Sequence, residues 1–375
     1  MIKVLNIISD SNIGGAGRCI INFAKYYDKE RFHLTVAMPK GSLLKEALEA
    51  CGTDVVEVEG IADRSLDWKA IGTLKQVIRQ VNPDVVHTHG AMAGRIAGKL
   101  CGKPVVFTRH PVFPVKSILA KQPGKAINGF INEHTADAMI AVAEAAKENL
   151  VDSGIHGDRV KVILNGVEAM QPASAEEQQK KKETLGIQPG TMVFTILARM
   201  EAVKGHRYIL EAAKILEEKG YNFQVLIAGK GSEEDAIRQA AEQLQTQAHV
   251  QFLGFVKDVR GLLSITDVQL NASYGTEATS LSLLEGMSMG VPAIVSDFGG
   301  NPGVITHEKN GLIFPKQNSE ALAACMERLL TDEALMQSLQ KGSFEVFQEK
   351  FTVQTYAAQI ESVYLSVLKK GGNNL

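Results

Sequence analysis

At 375 residues the chain has room for two ordinary domains, each large enough to bury its own core. Hydrophobic residues make up 45% and charged residues 22%, an ordinary globular composition that argues against disorder. Four scattered cysteines (Cys19, Cys51, Cys101, Cys325), with no CxxC pair and no Cys/His zinc spacing, argue against a disulfide scaffold or a structural zinc, and point to a reducing, cytoplasmic compartment.

The first apolar run, residues 2–8, is interrupted by Lys3 and Asn6 and followed by polar residues and glycines. It reads as a strand and not as a signal peptide. Further short runs rich in Val and Ile follow at 33–38, 55–58, 84–87, 104–108, 138–142 and 160–164. They are nearly continuous, as in strands covered on both faces of a parallel sheet. Helical stretches at 17–26, 66–80 and 92–100 separate them. The polar stretch 168–182 breaks the rhythm, which restarts with strands at 191–197, 223–228, 250–252, 268–270 and 292–295. Helices are expected near 205–219, 233–245, 281–289 and 319–330. The pattern predicts an α/β fold of two doubly wound, Rossmann-like domains. The boundary is expected near 166–172, with residues 1–167 in the first domain and 168–351 in the second. The helical spacing near 352–370 suggests that the segment 352–375 returns to complete the first. No segment approaches the ~18 apolar residues of a membrane span.

Charge divides unevenly. Residues 1–167 carry 21 Lys and Arg against 17 Asp and Glu, and residues 168–375 carry 19 against 25. Between Arg95 and Asn132 there are seven basic residues (Arg95, Lys99, Lys103, Arg109, Lys116, Lys121, Lys125) and no acidic one, with Phe113, Val115, Ile118 and Leu119 interleaved. Such a stretch suits an anionic partner, phospholipid headgroups or a phosphorylated acceptor, although a solvated basic face accounts for it about as well. Nucleic acid is not expected: the chain is slightly acidic, with net charge −2, and carries no nucleic-acid motif.

Gly14-Gly15-Ala16-Gly17 follows a strand and opens a helix, where amide N–H groups could meet a phosphate; a tight structural turn explains it equally well. Ile20 stands where a Rossmann fingerprint needs its third glycine. Ala228-Gly229-Lys230-Gly231 fails the fingerprint in the same way, with Glu234 in the last place. Two incomplete glycine turns argue against a dinucleotide-dependent dehydrogenase. His87 and His89 alternate onto one side of a strand end, as polar residues at a cleft mouth or a two-histidine metal bridge. His110 lies just past the next strand, where ligands collect in open α/β sheets. Arg199 and Lys204 bracket a strand–helix junction, where two cations would offset a diphosphate; a surface ion pair is the plainer account. In the stretch from Glu277 to Pro292, Thr279 or Ser280 can cap a helix that carries Glu285 in its second turn. Two glutamates flanking a cap on a Leu-rich helix are poor core material, and sugar hydroxyls would suit them as donors.

In this order the motifs resemble those of the family 4 retaining glycosyltransferases of GT-B fold, over nearly the whole chain. The resemblance rests on the early glycine loop, Asp84-Val-Val-His87-Thr-His89, Val162-Ile-Leu-Asn165-Gly-Val167, Arg199 to Lys204-Gly205, Gly229-Lys-Gly231, Phe252-Leu-Gly-Phe-Val256, the Glu277/Glu285 pair, Asp297-Phe-Gly-Gly300 and Asn310-Gly311. It implies that a UDP- or GDP-sugar is the donor, with no cofactor and no metal. It implies that Arg199 and Lys204 hold the diphosphate with backbone N–H groups of Gly15, Gly229 and the Ser280–Leu281 turn. By the same resemblance Glu285 accepts from the ribose, backbone near Val256 meets the base, Glu277 binds sugar hydroxyls and His110 sits at the transfer point. The acceptor would be a saccharide or lipid-linked hydroxyl of cell-envelope or polysaccharide synthesis, met in the cytoplasm or at the inner face of the plasma membrane. The sequence departs from the family pattern at Ala278, where glycine commonly follows the first glutamate, and at Gly303, where a glutamate is usual after Asn-Pro. A nucleotide-sugar epimerase, a pyridoxal-phosphate-dependent sugar phosphorylase or a binding protein with a degenerate site would share much of this pattern.

Overall fold

A computed structural model describes the chain except residues 62–66, 91, 113–114, 116–118, 120 and 373–375. It divides into two compact units, Met1–Gly166 with Val353–Leu375, and Val167–Thr352.

Among the described residues the first unit is built on a seven-stranded parallel sheet: β1 (Ile2–Ile8), β2 (Phe32–Pro39), β3 (Asp54–Val58), β4 (Val85–His89), β5 (Val105–Arg109), β6 (Ala138–Ala141) and β7 (Val160–Val162). Their spatial order is β3-β2-β1-β4-β5-β6-β7. The sequence runs away from β1 in one direction and then restarts beside it in the other. The reversal between β1 and β4 leaves a crevice at the carboxyl ends of those strands. The central strands are buried on both faces: Val4, Leu5, Val36, Val85, Val86, Val105 and Val106 are all 2% exposed or less. This is why their sequence is continuously apolar and does not alternate. The helix Val353–Gly372 packs on this sheet, burying Tyr356, Ile360, Tyr364 and Val367.

The second unit repeats the plan with six parallel strands: β8 (Met192–Leu197), β9 (Phe223–Ala228), β10 (Val250–Gly254), β11 (Val268–Asn271), β12 (Ala293–Ser296) and β13 (Gly311–Phe314). The order is β10-β9-β8-β11-β12-β13, so the switch lies between β8 and β11. Phe194, Val225, Ile227, Leu270 and Ile294 form its core with the helices His206–Glu218 and Ser319–Thr331.

The polar stretch after residue 168 is more ordered than its composition suggests. It contains the helix Ala175–Thr184, which buries no residue. Local chemistry holds it: Ser174 accepts from Glu177 N–H while the Glu177 carboxylate accepts from Ser174 N–H, a closed capping box. The strand β13 and the helix Glu333–Lys350 also went unread in the sequence.

Candidate active site

Every expected site residue of the second unit lies in a segment that follows a parallel strand, on the side where β8 and β11 part. Arg199 and Lys204 follow β8, Gly229 follows β9, Val256 follows β10, and Glu277, Ser280, Leu281 and Glu285 follow β11. Lys204 ends a 3-10 turn, Ala202–Lys204, and Gly205 behind it has φ +72°. A Cβ at Gly205 would lie 2.1 Å from the Ala272 carbonyl oxygen, so only glycine lets this loop close against the end of β11. That closure decides the chemistry. Lys204 Nζ reaches Glu277 Oε2 at 2.8 Å and the Thr276 carbonyl at 3.2 Å. The same carboxylate oxygen accepts from Ser273 Oγ at 3.0 Å and Asn271 Nδ2 at 3.3 Å. The two charged side chains are only 15% and 9% exposed. From behind, Gly299, at φ +61°, brings the Phe298–Gly300 turn against Glu277, and Gly300 N–H donates to the Glu277 carbonyl. This accounts for the Asp-Phe-Gly-Gly motif as a clamp on the glutamate's backbone.

The structure corrects several expectations. Arg199 and Lys204 are not two unpaired cations awaiting a diphosphate. Arg199 pairs with Glu201 at 2.7 Å and is 73% exposed, and Lys204 pairs with Glu277, so these four side chains sum to zero charge. Gly229 cannot offer its N–H to a donor, because that group donates to the Gly254 carbonyl at 2.8 Å. The glycines of Gly229-Lys230-Gly231 answer instead to packing: a Cβ at either would lie within 2.2 Å of a backbone oxygen, of Ala198 or of Met200. Ser280 stands at the N-cap of the helix Leu281–Met287 but its side chain does not cap; its Oγ lies 3.0 Å from Ser282 Oγ. Glu285 is buried at 3% exposure within that helix. Gly286 presses against Gln269, whose Nε2 donates to the Leu283 carbonyl, so the helix is pinned to β11. Val256 is half-buried, and Gly303 has open space where a side chain would stand.

In the first unit, Gly15 opens the helix Gly15–Tyr26 with room around it, whereas a Cβ at Gly17 would press on the Leu44 side chain at 2.6 Å. Of the two strand-end histidines only His89 borders a cavity; His87 lies behind it, and the two are 5% and 1% exposed. Nor is His87 placed as a metal ligand, since both its nitrogens are taken: Nδ1 lies 2.7 Å from Tyr364 Oη and Nε2 lies 2.7 Å from Thr108 Oγ1. His89 Nδ1 lies 2.9 Å from His110 Nε2. Burial drives the His87 ring down to about 3 and the His110 ring to about 4, and His89 falls well below its ordinary value from burial and its two histidine neighbours. All three are neutral near pH 7. His89 and His110 line a cavity of about 450 Å³ with Ser9, Asp10, Ser11 and Arg109. Asn271, Ser273, Thr108 and Tyr364 were not singled out in the sequence. The partners of His87 lie 21 and 277 residues away, so no local pattern announces them.

The basic stretch is not one exposed face. Arg95 is 4% exposed, donates to Asn132 Oδ1 and lies over the Phe107 ring; Lys99 pairs with Asp137; Lys103 donates to Asn82; Arg109 donates to Asn149. Phe113, Lys116 and Ile118 fall outside the described residues. Among the described residues no helix is long and apolar enough to cross a membrane.

Comparison with known proteins agrees with this architecture. Residues 13–170 match Glycosyltransferase Family 4 and residues 177–346 match Glycosyl transferases group 1, one family for each unit. The chain belongs to the family 4 glycosyltransferases. This glycosyltransferase is 29% identical to EpsD of Bacillus subtilis (strain 168), over 78% of this chain and 80% of that one. It is 26% identical to the UDP-Gal:alpha-D-GlcNAc-diphosphoundecaprenol alpha-1,3-galactosyltransferase of Escherichia coli, over 80% of each. The structure of Anabaena HepE in complex with UDP superposes with a TM-score of 0.84 at 21% identity, covering 97% of this chain and all of that one. The glycosyltransferase therefore has the GT-B fold, with two Rossmann-like domains.

Proposed function

We propose that this glycosyltransferase moves a hexose from a UDP-sugar to an acceptor hydroxyl with retention at the anomeric carbon. The observation that carries the reading is the buried Lys204–Glu277 pair at the switch point of the second sheet. A buried ion pair contributes little net stability against apolar residues of the same shape. Its position beside a ligand crevice suits it to divide a donor between a cation for phosphate oxygen and a carboxylate for sugar hydroxyls. Arg199, itself exposed and held by a single ion pair, is cheap to redirect toward the second phosphate. The charge that develops on the departing diphosphate is then met by Lys204, Arg199 and the amides at the start of the helix Leu281–Met287. In the front-face mechanism that we favour, the departing phosphate oxygen accepts the acceptor's proton. A pair of hydrolase-type carboxylates is not required. The choice of UDP over GDP is supported by the Escherichia coli relative, named for UDP-Gal, and by HepE, solved with UDP and with UDP-glucose.

Turnover of UDP-glucose and UDP-galactose, measured with and without EDTA and with the product anomer read by NMR, tests this. Retention, EDTA resistance and loss of activity in Lys204→Ala are expected. An inverted product overturns the mechanism, and an epimerised donor formed without acceptor makes the chain an epimerase instead.

A membrane-surface acceptor draws support from a narrower patch than residues 95–132. The helix Gly124–Thr135 exposes Ile127 (56%), Phe130 (64%) and Ile131 (39%) at helical spacing, with Lys121 just before it and the half-buried Lys125 in its first turn. Apolar side chains flanked by lysines suit an anionic lipid interface at the inner face of the plasma membrane. Co-sedimentation with anionic vesicles that falls with salt and in Phe130→Glu is expected; equal binding to neutral vesicles removes the reading.

A further inference from the structure

Two buried histidines, His87 and His89, and the half-buried His110 form an ordered stack. Tyr364, from the C-terminal helix, holds His87 Nδ1, and Thr108 holds His87 Nε2. The His89 ring lies over His87 with centroids 4.2 Å apart, and His110 lies over His89 at 5.2 Å. A hydrogen bond joins the middle ring to the last, His89 Nδ1 to His110 Nε2 at 2.9 Å. His89 Nε2, on the far side of its ring, is shut off from solvent and has no hydrogen-bond partner.

That orphan nitrogen decides where the protons sit. Two neutral imidazoles share one proton across the His89–His110 contact. If His110 Nε2 donated it, His89 would carry its own proton on Nε2, where nothing accepts it. If His89 Nδ1 donates it, the orphan is a bare nitrogen. A buried orphaned N–H is the rarer and costlier of the two. The His110 proton then lies on Nδ1, and the His110 side chain lines the cavity with Asp10, Ser11 and Arg109. We propose that His89 is a positioning residue that fixes His110 as the Nδ1–H tautomer, so that His110 serves as a neutral hydrogen-bond donor to an oxygen of the reacting sugar. The depressed basicity of both rings fits this role, since neither supplies a charge near pH 7. His110 is thereby a donor at the transfer point and not its general base.

The tautomer can be read without any substrate; the catalytic consequence rests on the transfer reading given above. The full chain labelled with 15N-histidine is examined near pH 7.5, with His110 assigned by its loss in His110→Gln. The expected spectrum shows Nδ1 protonated and Nε2 bare at His110; the reverse overturns the proposal. Two substitutions then separate positioning from packing. His89→Leu fills the ring's space and removes the orphan nitrogen, so thermal stability is retained or raised while the donor to His110 is lost. His89→Asn places an amide N–H where Nδ1 stood. UDP-glucose turnover is expected to fall about tenfold or more in kcat for the leucine variant, with KM within about twofold, and to return to within about threefold of wild type for asparagine. A folded leucine variant with wild-type kcat, or an asparagine variant no better than leucine, overturns it. If wild type turns over no UDP-sugar, the transfer reading fails, while the spectrum still decides the tautomer.

Discussion

Replacing Lys204 with Met should destabilise the second unit and abolish donor binding, and the two effects can be pulled apart. The substitution removes the one cation paired with Glu277 and leaves a carboxylate that is 9% exposed facing Ser273 Oγ and Asn271 Nδ2. Breaking a buried pair from one side costs about 3–5 kcal/mol, because the stranded charge keeps its desolvation penalty. The two neutral donors that remain, and the 15% exposure of the lysine, put this case near the low end, about 3 kcal/mol. For a unit of this size that is a drop of roughly 6–12 °C in its melting transition. The double variant Lys204→Met with Glu277→Gln has no stranded charge, and the new amide oxygen still accepts from Ser273 and Asn271. It should recover to within about 1 kcal/mol of wild type. Binding of UDP-glucose, followed by calorimetric titration, should be lost in both. A single variant within about 1 kcal/mol of wild type, or a double variant as unstable as the single one, would refute the claim that the pair is a buried, mutually dependent unit. Arg199→Ala is the control: its ion pair is exposed, so stability should stay within about 0.5 kcal/mol while donor affinity falls.

Gly205→Ala should cost at least about 2 kcal/mol, since φ is +72° and the new Cβ meets backbone and not a movable side chain; urea denaturation checks it, and a neutral result would mean the loop does not close as described. Tyr364→Phe removes the partner of His87 Nδ1 and should destabilise the first unit by about 1–3 kcal/mol, visible as faster hydrogen exchange in β1 and β4. The buried histidines also make stability fall with acid. Above about pH 6.5 their rings are neutral in folded and unfolded chain alike. Below it the unfolded chain binds protons that the folded rings refuse, down to about 4 for His110 and His206 and about 3 for His87. Each ring then removes about 1.4 kcal/mol per pH unit. The first unit holds three such rings and the second one, His206, whose two ring nitrogens have no partner. Hydrogen exchange resolved by unit should therefore show the first unit losing protection faster between pH 6 and 4.5; equal losses would count against the neutral stack.

Much of the fold can be read from short-range pattern. Strand β9, and β1 from Val4 onward, coincide with apolar runs because they are covered on both faces, so the run stands out against polar flanks. The helix Ala175–Thr184 buries nothing and leaves no apolar stripe to read, and β13 is a four-residue strand that only its neighbour β12 completes. The residue types of the site were equally visible, as glycines, cations and glutamates at strand ends. Their partners were not. Lys204 and Glu277 are 73 residues apart and meet because the parallel strands β8 and β11 place their carboxyl ends side by side; His87 and Tyr364 are 277 apart and meet because the C-terminal helix packs back on the first sheet. Sequence thus determined which groups stand at the crevice edges. The tertiary structure decided which of them are spent on one another: the Gly229 amide on Gly254, the Lys204 charge on Glu277, the His89 ring on His110. Hydrogen bonds and ion pairs act over about 3 Å, and only the folded chain sets that distance.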